Sequence, residues 1–156
     1  MECYEGATMI KSFRGLIADE GIDTIVLHTN DGSIGYRIVK LNVIGDTPGG
    51  TAGFESVIQI WKVPQTTTTS TIDFSDNTLL GVGLWSSSSD TKSYPDNQIV
   101  IFDGEIFNQD IYITHDAGAG QSGNCNYYLE LEQVKLNLSE NTVATLKDIR
   151  NVTAPV

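Results

Sequence analysis

The residues with the most chemical promise lie in the segment 108–136, NQDIYITHDAGAGQSGNCNYYLELEQVKL. Gly118, Gly120 and Gly123 spell G-x-G-x-x-G directly after the apolar run at 111–114. That spacing holds dinucleotide phosphates only where a helix follows, because the free amides and dipole at the helix N-terminus bind the pyrophosphate. Here a strand pattern follows instead. Tyr127, Leu129 and Leu131 alternate with Tyr128, Glu130 and Glu132, the two-residue period of a strand with one dry face and one wet. The glycines therefore read as a flexible hairpin tip, and no nucleotide cofactor is expected.

Other groupings are weaker. His28 and His115 are the only imidazoles. With Cys125 or Asp116 they offer the donor types of a metal site, yet no H-x-x-x-H or C-x-x-C spacing supports one, and they read as two ordinary surface histidines. No G-x-S-x-G elbow marks a nucleophile. Asp103 with Glu105, and Glu130 with Glu132, stand two apart and so share a strand face. A glycosidase needs two carboxyls roughly 5 to 10 Å apart across a sugar cleft, but Glu130 and Glu132 are more simply the wet face of an amphipathic strand. Asp73, Asp76 and Asn77 crowd one loop without the glycine and terminal glutamate of an EF-hand. The sequons at Asn137 and Asn151 read as coincidence, because the N-terminal MECYEGATM carries no export signal. No catalytic, cofactor-binding or metal-ligating residue is assigned, and the chain is expected not to be an enzyme.

The elements that position these residues are mostly strands. Residues 1–9 have no consistent period and read as a flexible N-terminal arm, leaving 10–156 as a single β-rich domain. A first strand is expected from Ile10. Two β-branched runs at 24–29 and 34–44 flank Asn30, Asp31 and Gly32, which suit a tight hairpin. The segment 46–53 is turn material. At 56–63 both faces are largely apolar, which predicts a central strand covered on both sides and ended by Pro64. The threonine run 65–71 suits an exposed loop or extended edge segment. Residues 77–85, NTLLGVGLW, fit a bent strand better than a short helix, since glycine costs a helix about 1 kcal/mol. After the surface loop 86–97, strands are expected at 98–102 and 106–114. The apolar set then shifts from odd positions to Val134 and Leu136, predicting a bulge or twist near Glu132 and Gln133. Ser139 as N-cap, with Val143, Leu146 and Ile149 on one side, predicts a three-turn helix over 139–151. The expected fold is mainly β, an antiparallel β-sandwich or jelly-roll with one short C-terminal α-helix.

Composition narrows the partners. The 156 residues carry a net charge of −11, a field that repels phosphate backbones and anionic membranes. The nine basic residues are scattered singly along the chain, so a basic surface has to be assembled by folding. Nucleic acid and membrane are accordingly not expected as partners. No run reaches the roughly 18 to 20 apolar residues of a membrane span, and the two cysteines, Cys3 and Cys125, define no redox compartment.

The phrases IKSFRG, DTIVLHTNDGSIGYRIVK, IFNQDIYITH and NYYLELEQVKLNLSENTVATLKDIRN resemble small virion structural proteins of tailed bacteriophages, marine ones in particular. The resemblance runs from about Ile10 to Asn151, is textual rather than motif-based, and transfers no functional residue. It implies an accessory shell component of the capsid decoration or cement type, made in the host cytoplasm and located on the capsid surface. Such a component binds the major capsid protein and often forms homotrimers, with a tail or neck component as a variant. Apolar and aromatic positions outside the core, with Phe13, Tyr36 and Tyr128 as candidates, are expected to contact neighbouring subunits. The rival from another class is a carbohydrate-binding or adhesin-like module, in which Trp61, Trp85 or Tyr94 would stack on sugars.

Overall fold

The alternation at 127–132 belongs to an eleven-residue strand at the centre of one of two antiparallel sheets. A computed structural model describes residues 9–30, 32–48, 54–87, 96–102, 105–118 and 120–137, with Ser139, Thr142 and Thr145. The strands in chain order are β1 (Met9–Ile17), β2 (Ile22–Ile25), β3 (Ile34–Gly45), β4 (Phe54–Trp61), β5 (Leu79–Ser87), β6 (Asp96–Ile101), β7 (Ile111–Ala117) and β8 (Cys125–Lys135). One sheet has the order β1-β8-β3 and the other β2-β7-β4-β5-β6. Neither closes into a barrel.

The main core lies between the two sheets, because each strand turns its apolar alternate residues inward. Cys125, Tyr127, Leu129 and Leu131 of β8 and Ile38, Leu41 and Val43 of β3 meet Ile58, Ile60, Leu80, Trp85, Ile111 and Ile113 of the larger sheet. The sheets approach closely at Gly83. A Cβ there would stand 2.7 Å from Val43 Cγ1 and 3.2 Å from Ile99 Cδ1, so the bare backbone of β5 is what admits the β3 side chain. This resolves 77–85 as a strand.

The expected doubly covered strand is β4. It lies between β7 and β5, and Ser56 through Lys62 are all buried. Its outer face carries Val57 and Trp61, which pack with Leu79 and Val82 in a second apolar cluster. The loop 63–78 lies over that face: Gln59 Nε2 donates to the carbonyls of Thr69 and Thr71 at 3.0 and 3.2 Å, and Thr68 Oγ1 donates to Asp116 at 2.9 Å. The threonine run is thus a loop packed on a sheet.

Several expectations fail on connectivity. The glycine segment is no hairpin tip, because β7 and β8 belong to different sheets and 118–124 crosses between them. Gly120 does take a left-handed backbone, φ 76°, and Gln121 N donates to the Gly118 carbonyl at 2.9 Å. The Asn30–Gly32 turn likewise joins β2 to β3 across the sheets; Gly32 has the positive φ of 64° that was expected, and Asp31 lies outside the described residues. The strand expected at 106–114 is displaced to Ile111–Ala117, while Phe107 makes an isolated bridge to Tyr36. The bulge expected near Glu132 sits on the partner strand, where the β3–β8 register shifts between Ile38 and Lys40.

The C-terminal helix does not enter the described fold, whose elements are all strands. Of the segment 139–151 only Ser139, Thr142 and Thr145 are described, with helical backbone, and the rest lies outside the described residues. Thr145 is tied to the body by Asn108 Nδ2, which donates to its Oγ1 at 2.8 Å and to the Gly32 carbonyl at 3.2 Å. The N-terminal arm, 1–8, also lies outside them.

The sheet contact gives a direct test. Gly83→Ala is expected to destabilise the chain by about 1–3 kcal/mol through overpacking against Val43. Gly81→Ala, whose Cβ would have its nearest neighbour at 3.4 Å, is expected to cost much less. Urea unfolding of the two variants measures the difference.

Candidate interaction surface

The outer face of the β1-β8-β3 sheet is built by the even residues of β8. Asn126, Tyr128, Glu130 and Glu132 run down its middle. They are flanked on β1 by Leu16, Arg14, Ser12 and Ile10, and on β3 by Ile44, Asn42, Lys40 and Arg37. Among the described residues no element lies over this face. Its upper rows are apolar and amide-bearing, and an open depression of about 430 Å³ there is lined by Arg14, Asn42, Ile44, Asn126 and Tyr128.

Charge is unevenly shared across the molecule. The three strands of this sheet hold Lys11, Arg14, Arg37, Lys40 and Lys135, five of the nine basic residues, and only Glu130 and Glu132 of the twenty acidic ones. Folding therefore concentrates the scattered basic residues on one sheet of a chain whose net charge is −11. The face is internally braced. Arg37 Nε pairs with Glu132, Tyr128 OH donates to Glu130 at 2.8 Å, and Lys40 Nζ lies 5.8 Å from the Tyr128 ring centroid. That hydrogen bond to the Glu130 carboxylate raises the Tyr128 pKa.

The three residues expected to reach neighbours divide. Tyr128 stands on the face just described, half-buried. Phe13 is on the inner side of β1, opposite Leu129, and packs partly buried against the core. Tyr36 is a core residue, with 2% of its surface exposed; its hydroxyl accepts from Lys11 Nζ at 3.4 Å. The Tyr36–Phe107 bridge sets a second chain segment beside Tyr36, and both residues belong to the core cluster.

The chemically suggestive residues are separated or engaged elsewhere. His115 is fully buried, not on the surface. Its Nδ1 lies 3.1 Å from the carbonyls of both Ile17 and Ala18 and ties β7 to the β1–β2 turn. His28 is a surface residue whose Nδ1 lies 2.7 Å from Asp110 Oδ1. Burial pushes the Asp110 pKa up, but hydrogen bonds from the His28 ring and from the Leu27 and His28 amides outweigh it and hold the carboxyl below its usual range. Glu105 pairs with the buried Lys62; Asp103 lies outside the described residues. Asp73 and Asp76 accept from Ser75 and Thr78 respectively and brace their own turns. Among the described residues no cluster of three or more His, Cys, Asp or Glu is placed to hold a metal, and no helix is long and apolar enough to cross a membrane.

The sugar-stacking positions are also committed to packing. Trp85 is buried in the main core, and Trp61 is buried with its Nε1 donating to Thr114 Oγ1 at 3.0 Å. Tyr94 lies outside the described residues. What the sequence reading missed is the β1 edge, where Met9, Ile10 and Leu16 are all exposed.

No protein-family model matches the chain, and no curated protein matches it.

Two buried groups set an alkaline limit. Burial pushes the Cys125 thiol from 9.0 up to about 11, and burial with the nearby Asp23 carboxylate pushes the Tyr127 hydroxyl from 10.0 up to about 12. Both are neutral in the fold and ionise more readily unfolded, so their contribution is complete below about pH 9 and is lost as pH rises towards 12. Urea unfolding across that window should show stability falling with pH, less steeply in Tyr127→Phe. That variant should also lose about 1 kcal/mol at neutral pH with its hydrogen bond to Asp23. Native Cys125 should resist thiol alkylation at pH 8, checked by peptide mass mapping.

Proposed function

We propose that this chain is a non-enzymatic structural protein of a tailed-phage virion, an accessory protein of the capsid decoration or cement type. It binds the major capsid protein as an oligomer and stabilises the shell. Its two-sheet fold is read as a β-sandwich that serves as a rigid plate. The observation that carries the reading is the outer face of β1-β8-β3, an uncovered sheet face on which Arg14, Arg37 and Lys40 stand beside Glu130 and Glu132, with Arg37 and Lys40 held by Glu132 and the Tyr128 ring. An uncovered face with charges of both signs held in fixed positions is suited to repeated, oriented contact with a lattice of subunits, where weak contacts sum to firm retention.

Nucleic acid is not proposed as the occupant of that face. Glu130 and Glu132 run down its centre and Arg37 is paired with Glu132, so no continuous cationic track follows a phosphate backbone. The resemblance in the strand and helix phrases supplies the virion context, and the surface layout supplies the mode of action.

The reading is tested by counting copies per purified particle with quantitative mass spectrometry against the major capsid protein. Hundreds of copies in a simple ratio to the capsid subunit are expected. A few copies, in multiples of three, six or twelve, would move the protein to the tail or neck, and none would remove it from the virion. Arg14→Glu with Lys40→Glu, both exposed, should lower occupancy of the particle about tenfold or more by reversing charge at the contact. Unchanged occupancy would exclude this face.

A further inference from the structure

β1 is an edge strand nine residues long, paired with β8 on one side and with no described strand on the other. A free edge presents a row of unpaired N–H and C=O groups, and natural proteins usually guard it with charge, proline, a bulge or short length. β1 has no proline, and its pairing with β8 runs without a register shift. It also exposes large apolar side chains: Met9 is 58% exposed, Ile10 47% and Leu16 54%. Beside it, Val26, 66% exposed, lines a groove of about 450 Å³ together with Lys11, Phe13 and His28.

We infer that β1 is a self-pairing interface, on which β1 of a second copy of this chain adds antiparallel and joins two three-stranded sheets into one of six. The strand itself specifies the register. Antiparallel pairing must keep inward residues opposite inward ones, because a one-residue slip turns every side chain to the wrong face. Among the registers that do so, the one centred on Phe13 sets Ile10 opposite the partner's Leu16 twice over, and Met9 opposite the partner's Ile17. Centring on Arg14 would set two guanidinium groups directly against each other. Centring on Ser12 would set Ile10 against the partner's Arg14 and leave Leu16 beyond the partner's strand.

Charge agrees with the Phe13 register. Lys11 falls opposite the partner's Gly15 and Arg14 opposite the partner's Ser12, so no like charges stand directly across the seam. Ser12 is itself flanked within its sheet by Glu130. The short serine leaves the partner's Arg14 free to reach across it towards that carboxylate, and the two-fold axis repeats the arrangement. The edge charges thus choose the register instead of blocking pairing. An edge contact of this size is at the low end of interface area, where association is weak and reversible. The pairing is two-fold, giving a dimer where the phage resemblance implies a trimer, and it does not depend on the shell role.

The test is the solution mass of the full chain by sedimentation and light scattering from about 1 μM to about 1 mM, the span of weak association. The chain mass is 17.0 kDa. The wild type is expected to pass from monomer to twice that mass as concentration rises. Ile10→Lys with Leu16→Lys places like charges directly opposite at two points and should remain monomeric throughout. Ile10→Lys with Leu16→Glu places opposite charges there and should recover the dimer. Circular dichroism checks that both variants keep the fold, and the wild-type mass decides alone should either lose it. A wild type that stays monomeric, a trimer, or a dimer untouched by the double lysine substitution would overturn the inference.

Discussion

The two-residue alternation of β8 is the constraint on which the rest of this molecule depends. One strand serves two partners, pairing with β1 and β3 along its length, and its side chains divide strictly between two tasks. The inward set from Cys125 to Leu131 fills the space between the sheets, while the outward set from Asn126 to Glu132 forms the spine of the exposed face. A slip of one residue would bury Glu130 and Glu132 and expose Leu129 and Leu131, which is why core and surface are specified together.

The opposing sheet accommodates that arrangement by close approach and by using its polar groups as braces. Gly83 admits Val43, and His115 holds the carbonyls at the end of β1. The loop 63–78 covers the outside of β4 through Gln59. The larger sheet is thereby covered on both faces at its centre, while the smaller keeps one face towards solvent. The asymmetry of charge follows the same division, with basic residues on the sheet whose outer side stays open.

Much of this was legible in the sequence where the information is local. The period of 127–132 marked a half-wet strand, and the doubly apolar run 56–62 marked a central one, because side-chain alternation records burial directly. Gly32 advertised its left-handed turn. What local residues do not record is which sheet receives the next strand. Gly118 and Gly120, like Asn30 and Gly32, allow the chain to reverse, and a reversal looks the same whether it makes a hairpin or crosses between sheets. The burial of Tyr36 was hidden for a related reason: Phe107, which bridges to it, is distant in sequence. The basic sheet was equally invisible, since Lys11, Arg14, Arg37, Lys40 and Lys135 come from three separate strands.

An interacting surface on the smaller sheet, its face and its β1 edge together, is the central claim. Residue-resolved amide hydrogen exchange of β1 tests it most directly, measured on the intact chain at low and at high concentration. Amides directed to β8 are protected in either case, while those directed outward are open in a lone molecule and hydrogen-bonded once a second strand is added. The account predicts alternating protection along β1 in dilute solution that becomes uniform as concentration rises. Alternation that persists unchanged at every concentration would contradict it.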